Sequence, residues 1–277
     1  MKFNKITIIG IGLLGGSLGL AIKKSKLAKE VCGVCRSQQS INDAKKLGII
    51  DFGTASLEEG VINADIIILA QPVNIIIECI SQLAQLELPE QVIITDVGST
   101  KSHIVNIAEE KLKCFIGSHP MAGSEKQGMF FASADLFNDK LCFVTQTQKT
   151  DKAKLKKIIN FWESLGANAC IISPGEHDKY VAEISHLPHV IAACLVNSVS
   201  EESLEYASTG FLDTTRIAGG ASSLWRDICL TNADNILDCL ENFSAQINEF
   251  KQALKDKDND KIAHLLELAK EERDLLR

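Results

Sequence analysis

Apolar positions fall along this chain in two registers, and the change between them comes near residue 173. Before it, short apolar runs alternate with stretches in which apolar residues recur three or four apart. Ile6-Thr7-Ile8-Ile9 reads as a first strand, and a helix-like segment comes next at Leu18-Gly19-Leu20-Ala21-Ile22-Lys23-Lys24. Residues 30–35 predict a second strand and residues 39–47 a helix ended by Gly48. Residues 65–70, Asp65-Ile66-Ile67-Ile68-Leu69-Ala70, form an unbroken apolar run after the aspartate, as suits a parallel strand buried on both faces. Pro72 opens a helix whose Ile76, Cys79, Ile80, Leu83 and Leu86 share one stripe. Further strands are expected at 92–95, 114–117, 141–144 and 169–172, with a helix over 153–165 before the last. This alternation predicts an α/β fold, a Rossmann-type doubly wound parallel sheet.

Ser173-Pro174-Gly175 punctuates the chain, and the residues beyond it read as all-α. Residues 177–205 predict one long helix, apolar enough around its circumference to be buried, and residues 210–220 a polar, Gly-rich connection. From Ile236, apolar residues recur at Leu240, Phe243, Ile247, Phe250 and Leu254, the seam of a bundle or dimer contact. A charged helix over 261–276 closes the chain, so the domains divide as 1–173 and 174–277.

Between the first strand and its helix lie Gly10-Ile11-Gly12-Leu13-Leu14-Gly15, a G-x-G-x-x-G turn. Gly10 suits the tight turn, Gly12 the close approach of a pyrophosphate and Gly15 the packing of helix on strand. Gly10, Gly12, Leu13, Leu14 and Gly15 are therefore candidate cofactor-binding residues, with the helix N-terminus facing the phosphates. An NAD site usually carries an acidic residue about 20 residues further on. Here the second strand ends in Cys35-Arg36-Ser37-Gln38. Arg36 and Ser37 suit a 2′-phosphate, so NADP is expected to be used at least as well as NAD, with NAD not excluded.

Composition narrows the partners. The 277 residues are 45% hydrophobic and 23% charged, with a net charge of -7 and no basic block, which argues against nucleic acid and anionic membranes. No apolar run approaches a membrane span, and Met1-Lys2-Phe3 leads straight into the first strand, so a cytoplasmic protein is expected. The nine cysteines are scattered and read as reduced, buried hydrophobes. Cys32-Gly33-Val34-Cys35 has the spacing of a zinc half-site without its second pair, so no metal is expected.

Ligands of open α/β sheets bind beyond the carboxyl ends of the strands. Two polar loops are expected there, Asp96-Val97-Gly98-Ser99-Thr100-Lys101 and Gly117-Ser118-His119-Pro120-Met121-Ala122-Gly123-Ser124-Glu125. The second brings His119 to the rim of the phosphate turn, within reach of a nicotinamide. In the helical half Ser185 and His189 are four apart and share a helix face, with His186 between them. Arg216 lies in Asp213-Thr214-Thr215-Arg216-Ile217-Ala218 and suits either a fork for a carboxylate or a pairing with Asp213.

The segments His119-Pro120-Met121-Ala122-Gly123-Ser124-Glu125, Ile184-Ser185-His186-Leu187-Pro188-His189, Asp213 to Ala218 and Leu224-Trp225-Arg226-Asp227 together resemble prephenate dehydrogenases of tyrosine biosynthesis. The resemblance spans nearly the whole chain in the family's order. It implies a dinucleotide-binding domain, 1–173, and a helical substrate and dimerisation domain, 174–277, in a homodimer. It implies His119 as the catalytic base beside Ser99, Arg216 on a substrate carboxylate, and Ser185, His189 and Trp225 around the substrate. Glu125 and Asp213 match positions that shape the site entrance. The implied reaction is NAD(P)-dependent oxidative decarboxylation of prephenate to 4-hydroxyphenylpyruvate, with His119 titrating near 6.5. His189 has no acidic neighbour in sequence, which favours prephenate over its amino counterpart arogenate. Two other classes remain open: a nucleotide sensor without turnover, and a β-hydroxyacid dehydrogenase. The first has no need of His119, Arg216 and Ser99, and the second needs a lysine where Ser185, His186 and His189 stand.

Overall fold

Alternate residues of the central strands enter two different cores. Ile6 and Ile8 of β1 (Phe3–Ile9) pack on one face of the sheet, while Ile9 packs on the other. A computed structural model of the chain describes residues 2–123 and 126–276. In order, β1 leads to α1 (Leu13–Lys24), β2 (Ala28–Val34), α2 (Gln38–Lys46), β3 (Phe52–Thr54), α3 (Leu57–Val61), β4 (Ile66–Leu69), α4 (Val73–Leu83), β5 (Ile93–Asp96), α5 (Ser102–Lys111) and β6 (Phe115–Ile116). The strands form a parallel six-stranded sheet in the order β3-β2-β1-β4-β5-β6. β4 is inaccessible on both faces: Ile66 and Ile68 join α1 and α2 on one side, Ile67 and Leu69 join α4 and α5 on the other. An unbroken apolar strand needs helices on both faces, and here it has them. The chain reverses direction across the sheet between β1 and β4, which opens a crevice at their carboxyl ends.

A second sheet departs from the expected single one. β7 (Ser118–Pro120), β8 (Leu141–Thr145) and β9 (Asn168–Ile172) form a three-stranded sheet, β7 antiparallel and β9 parallel to β8. His119 is thus held on a strand, its Cα opposite that of Phe143, rather than on a free loop. The strand is too short to show alternation, and Pro120 disguises it; proline is tolerated there because β7 lies at the sheet edge. Between β8 and β9, α6 (Lys152–Ser164) buries Leu155, Ile158, Phe161 and Trp162.

The helical part corrects the sequence reading in three places. First, residues 177–205 are broken into α7 (Pro174–Val181), a π-helical turn Ala182–His186, α8 (Leu187–Ser198) and α9 (Glu201–Leu204). Pro188 has no N–H to give to Ile184, and the wider π turn before it absorbs the missing bond. Second, α8 is not buried within the chain: of its residues only His189 and Ala192 are, and the others are half-buried or exposed. Third, the segment expected as a connection is helical, as α10 (Thr209–Thr215) and a 3-10 turn Arg216–Gly219, with α11 (Ser222–Thr231) after them. Its glycines sit at the ends of these short helices, where they cost little. Smaller differences concern β3 and α3, too short for periodicity, and α1, which begins at Leu13 directly after the glycine turn.

Residues through Asn232 form one compact unit and those from Ala233 a second. The second holds α12 (Ala233–Asp256) and α13 (Asn259–Leu275). Asp258 caps α13 by accepting from the Lys261 N–H, and Lys261 pairs with Glu249 at 2.5 Å. Along α12, Ile236 of the heptad seam is buried, whereas Ile247 and Leu254 stay more than half exposed, at 51% and 56%. No helix among the described residues is long and apolar enough to cross a membrane.

Candidate active site

A cavity of about 630 Å³ opens at the carboxyl ends of β1, β4 and β5 and lies wholly within the first unit. Its volume is in the range of small-molecule sites. The turn before α1 forms one end, through Gly12, Leu13 and Leu14. Gly10 has φ +95, and a Cβ on it would lie 2.7 Å from the Ala70 carbonyl oxygen; a Cβ on Gly15 would lie 2.0 Å from the Gly10 carbonyl oxygen. These two glycines therefore fold the turn, while at Gly12 the same direction is open space. Gly12 also begins α1, whose first turn carries no acidic residue. Free N–H groups, a positive dipole end and an open approach make a cradle for a pyrophosphate. The residues present thus fit a dinucleotide.

His119 lines the same cavity, and behind it runs a chain of hydrogen bonds. His119 Nδ1 is 2.8 Å from His177 Nε2, and His177 Nδ1 is 2.8 Å from Asp178 Oδ1. Burial lowers the pKa of His177, and the pull of Asp178 does not outweigh it, so this ring is neutral. Those distances and charges set the proton positions. A carboxylate only accepts, so His177 donates from Nδ1 and accepts at Nε2, and His119 donates from Nδ1. The Nε2 of His119 is left as an unprotonated base. Burial, then the neighbouring His177 and Lys101, hold the His119 pKa well below 6.5, which corrects the expectation of an ordinary titration. Asp178 itself is fixed by α5: the N–H groups of Lys101 and Ser102 donate to its two oxygens at 2.7 and 2.8 Å. Burial pushes its pKa up, but these bonds and the one from His177 outweigh that and keep the carboxyl below its usual range.

Lys101 ties together the segments that carry these groups. It is fully buried; its Nζ pairs with Asp96 and donates to the Ser118 carbonyl at 2.9 Å. Asp96 also accepts from the N–H groups of Gly98 and Ser118, at 2.8 and 3.0 Å. The end of β5, the Ser99 loop and the start of β7 are thus joined around one ion pair. Removing either charge would leave the other buried and unpaired, at a cost of about 3–5 kcal/mol.

Ser99, Ser185, His189, Arg216 and Trp225 also contribute to the lining. The π turn keeps Ser185 and His189 on the cavity side. His189 stacks on Trp225, centroids 3.4 Å apart and planes at 10°, and its buried Nδ1 has no hydrogen-bond partner. His186 is buried and satisfied, its Nδ1 3.1 Å from Asn232 Nδ2, and burial lowers its pKa to about 4. Arg216 is exposed to the cavity from the 3-10 turn. Asp213 lies one turn earlier on α10, exposed and outside the lining, and Glu125 lies outside the described residues. Arg36 and Ser37 also lie outside the lining, just past β2; the Ser37 hydroxyl oxygen caps α2, accepting from the Ser40 N–H. Cys32 and Cys35 are free and buried, and burial pushes the Cys35 thiol up to about 11.

Sequence reasoning missed His177, Asp178 and Lys101. The capping box Ser173…Glu176 marks the helix that carries the first two, but nothing local shows which side of it is buried.

Two family models match the chain: "Prephenate dehydrogenase, nucleotide-binding domain" over residues 18–171, and "Prephenate dehydrogenase, dimerization domain" over residues 173–268. A prephenate dehydrogenase of Bacillus subtilis is 37% identical over 98% of this chain and 76% of its own length. The crystal structure of prephenate dehydrogenase from Aquifex aeolicus, in complex with hydroxyphenyl propionate and NAD+, superposes with a TM-score of 0.94 at 33% identity, covering 100% of this chain and 99% of that one. A Synechocystis arogenate dehydrogenase structure superposes with a TM-score of 0.85 at 29% identity, covering 98% and 99%. The chain belongs to the prephenate dehydrogenase family.

Proposed function

We propose that this chain is an NAD(P)-dependent prephenate dehydrogenase, converting prephenate to 4-hydroxyphenylpyruvate and carbon dioxide. The observation that carries it is the relay Asp178–His177–His119 opening onto a cavity with a pyrophosphate cradle at one end and Arg216 at the other. Bound nicotinamide would supply the hydride acceptor. His119 Nε2 accepts the proton of the C4 hydroxyl as hydride leaves C4. The resulting imidazolium keeps its Nδ1 proton on His177, whose own bond to Asp178 orients the pair. The bond from the ring to its carboxylate then breaks, its electrons complete the aromatic ring, and the proton returns to the phenol oxygen. No net proton is released, so His119 ends as it began. Arg216 holds a substrate carboxylate in a bidentate fork, and Ser99, which lines the same cavity, would steady the base. The division at residue 173 is supported by the meeting of the two matched regions.

The choice of prephenate over arogenate rests on charge. No described residue lining the cavity is acidic, so an ammonium finds no counter-ion there. Burial lowers the His189 pKa, so this ring is neutral; it discriminates through a hydrogen bond to the keto group, not through the positive charge of a protonated ring. Wild type is expected to show the higher kcat/KM with prephenate, and His189→Ala to cut that preference by about tenfold, the worth of one hydrogen bond. A wild-type preference for arogenate, or a preference unmoved by the substitution, sinks the assignment.

NADP use is proposed on Arg36, exposed just beyond β2 in a stretch, Cys35-Arg36-Ser37-Gln38, that holds no carboxylate. Arg36→Ala should raise KM for NADP by roughly ten- to a hundredfold, as loss of a charged hydrogen bond does, and leave NAD nearly unchanged. Equal effects on both nucleotides would remove the role. The homodimer through the helical domain is supported by the matched dimerisation model and by the exposed seam residues Ile247 and Leu254. A monomeric mass in sedimentation would contradict it.

A further inference from the structure

Three buried side-chain polar atoms among the described residues have no hydrogen-bond partner: Trp162 Nε1, His189 Nδ1 and Gln71 Oε1. Trp162 lies in the core cluster, whereas the other two residues line the cavity. His189 stands at the substrate end, where the keto group of prephenate gives it a partner. Gln71 stands at the nucleotide end, and neither the proton relay nor the substrate contacts involve it.

We infer that Gln71 is a cofactor-binding residue, whose amide oxygen accepts a hydrogen bond from a hydroxyl of the ribose on the nicotinamide side. The inference rests on the dinucleotide reading of the glycine turn. Gln71 comes two residues after β4, before the helix-opening Pro72. Its Cγ packs on the glycine turn, 2.7 Å from where a Cβ of Gly10 would be. β4 flanks β1 on the side away from β2. A dinucleotide laid over the turn with its adenosine end toward Arg36 therefore puts its second ribose at the end of β4. The ring beyond it then reaches His119, which comes after β5 and β6. Pyrophosphate oxygens only accept hydrogen bonds, so the donor that an amide oxygen meets at this place is a ribose hydroxyl. The terminal amide torsion is soft, so turning that oxygen into the cavity is a small motion. An uncharged amide also suits a position beside phosphates, where a carboxylate would repel them.

Calorimetric titration with ADP and with ADP-ribose tests this without turnover, since ADP-ribose carries the second ribose but no nicotinamide. Gln71→Leu keeps the bulk and removes the amide. It is expected to weaken ADP-ribose by about tenfold while ADP stays within about twofold of wild type. Unchanged ADP binding also reports an intact fold. Equal losses for both ligands, or none for ADP-ribose, overturn the assignment. A loss seen with NAD but not with ADP-ribose overturns it too, by moving the contact to the carboxamide. Failure of wild type to bind either probe, with or without a 2′-phosphate on its adenosine, overturns the dinucleotide reading and this inference with it.

Discussion

His119→Asn should lower kcat by about two to four orders of magnitude, the usual worth of a positioned general base. Asparagine is close in length and offers an N–H to His177 Nε2, so the relay behind it keeps its partner. It has nothing to replace the Nε2 lone pair. Both ligands should therefore still bind, and the loss should appear in kcat with KM little changed. Reduced-nucleotide absorbance under saturating substrate, with separate nucleotide titrations, reads both quantities. A kcat within a few-fold of wild type would return His119 to a structural role. The same residue sets the acid limb of the pH profile. Because burial lowers its pKa, the base form persists below pH 6.5 and kcat/KM should begin to fall only well under that value. Stability moves the same way. His119, His177, His186 and His189 all have lowered pKa values, so the unfolded chain binds more protons than the folded one below about 6.5. Their contribution is complete above that pH and is lost as pH falls toward the folded values, about 4 for His186. Acid-limb rates therefore need a control in which enzyme held at low pH is assayed again at neutral pH.

Arg216→Ala should raise KM for prephenate by roughly ten- to a hundredfold, because a charge-assisted hydrogen bond is worth about 1.5–3 kcal/mol. Nucleotide affinity should not change, since Arg216 lies with the helical lining and the glycine turn forms the other end of the cavity. Arg216→Lys should recover only part of the loss: an ammonium is a point charge and cannot make the paired, planar contact of a guanidinium. Substrate KM values for the three proteins, beside calorimetric nucleotide titrations, separate these effects. An unchanged substrate KM in Arg216→Ala would remove the arginine from the substrate site and leave it a helix-end charge.

The parts of the site that were legible in the sequence are those whose meaning is local. Gly10, Gly12 and Gly15 declare themselves because a tight turn at φ +95 and a carbonyl contact at 2.0 Å leave no room for a side chain. Spacing put Ser185 and His189 on one helix face and residue type left Arg216 two uses; resemblance alone gave them and Trp225 their roles, and the structure brings all four to one cavity. His119 was recognised but assigned to a loop, because a three-residue strand ending in proline has no pattern of its own. The break in the long helix at Ala182–His186 was foreshadowed by Pro188, yet proline alone does not say whether a helix stops, kinks or widens.

Residue order alone was enough for the alternation of strands and helices, the phosphate turn and the family, because hydrophobic period, glycine placement and ordered motifs are properties of neighbouring residues. Which nitrogen of His119 is the base emerged only in three dimensions. That answer runs through His177, 58 residues away, to a carboxylate held by the backbone of α5. So did the place of Lys101, an unremarked end to a polar loop, which is buried against Asp96 and carries the Ser118 carbonyl beside it. Proton position and pKa are set by burial and by partners brought together from distant segments, and a linear pattern of residues contains neither quantity.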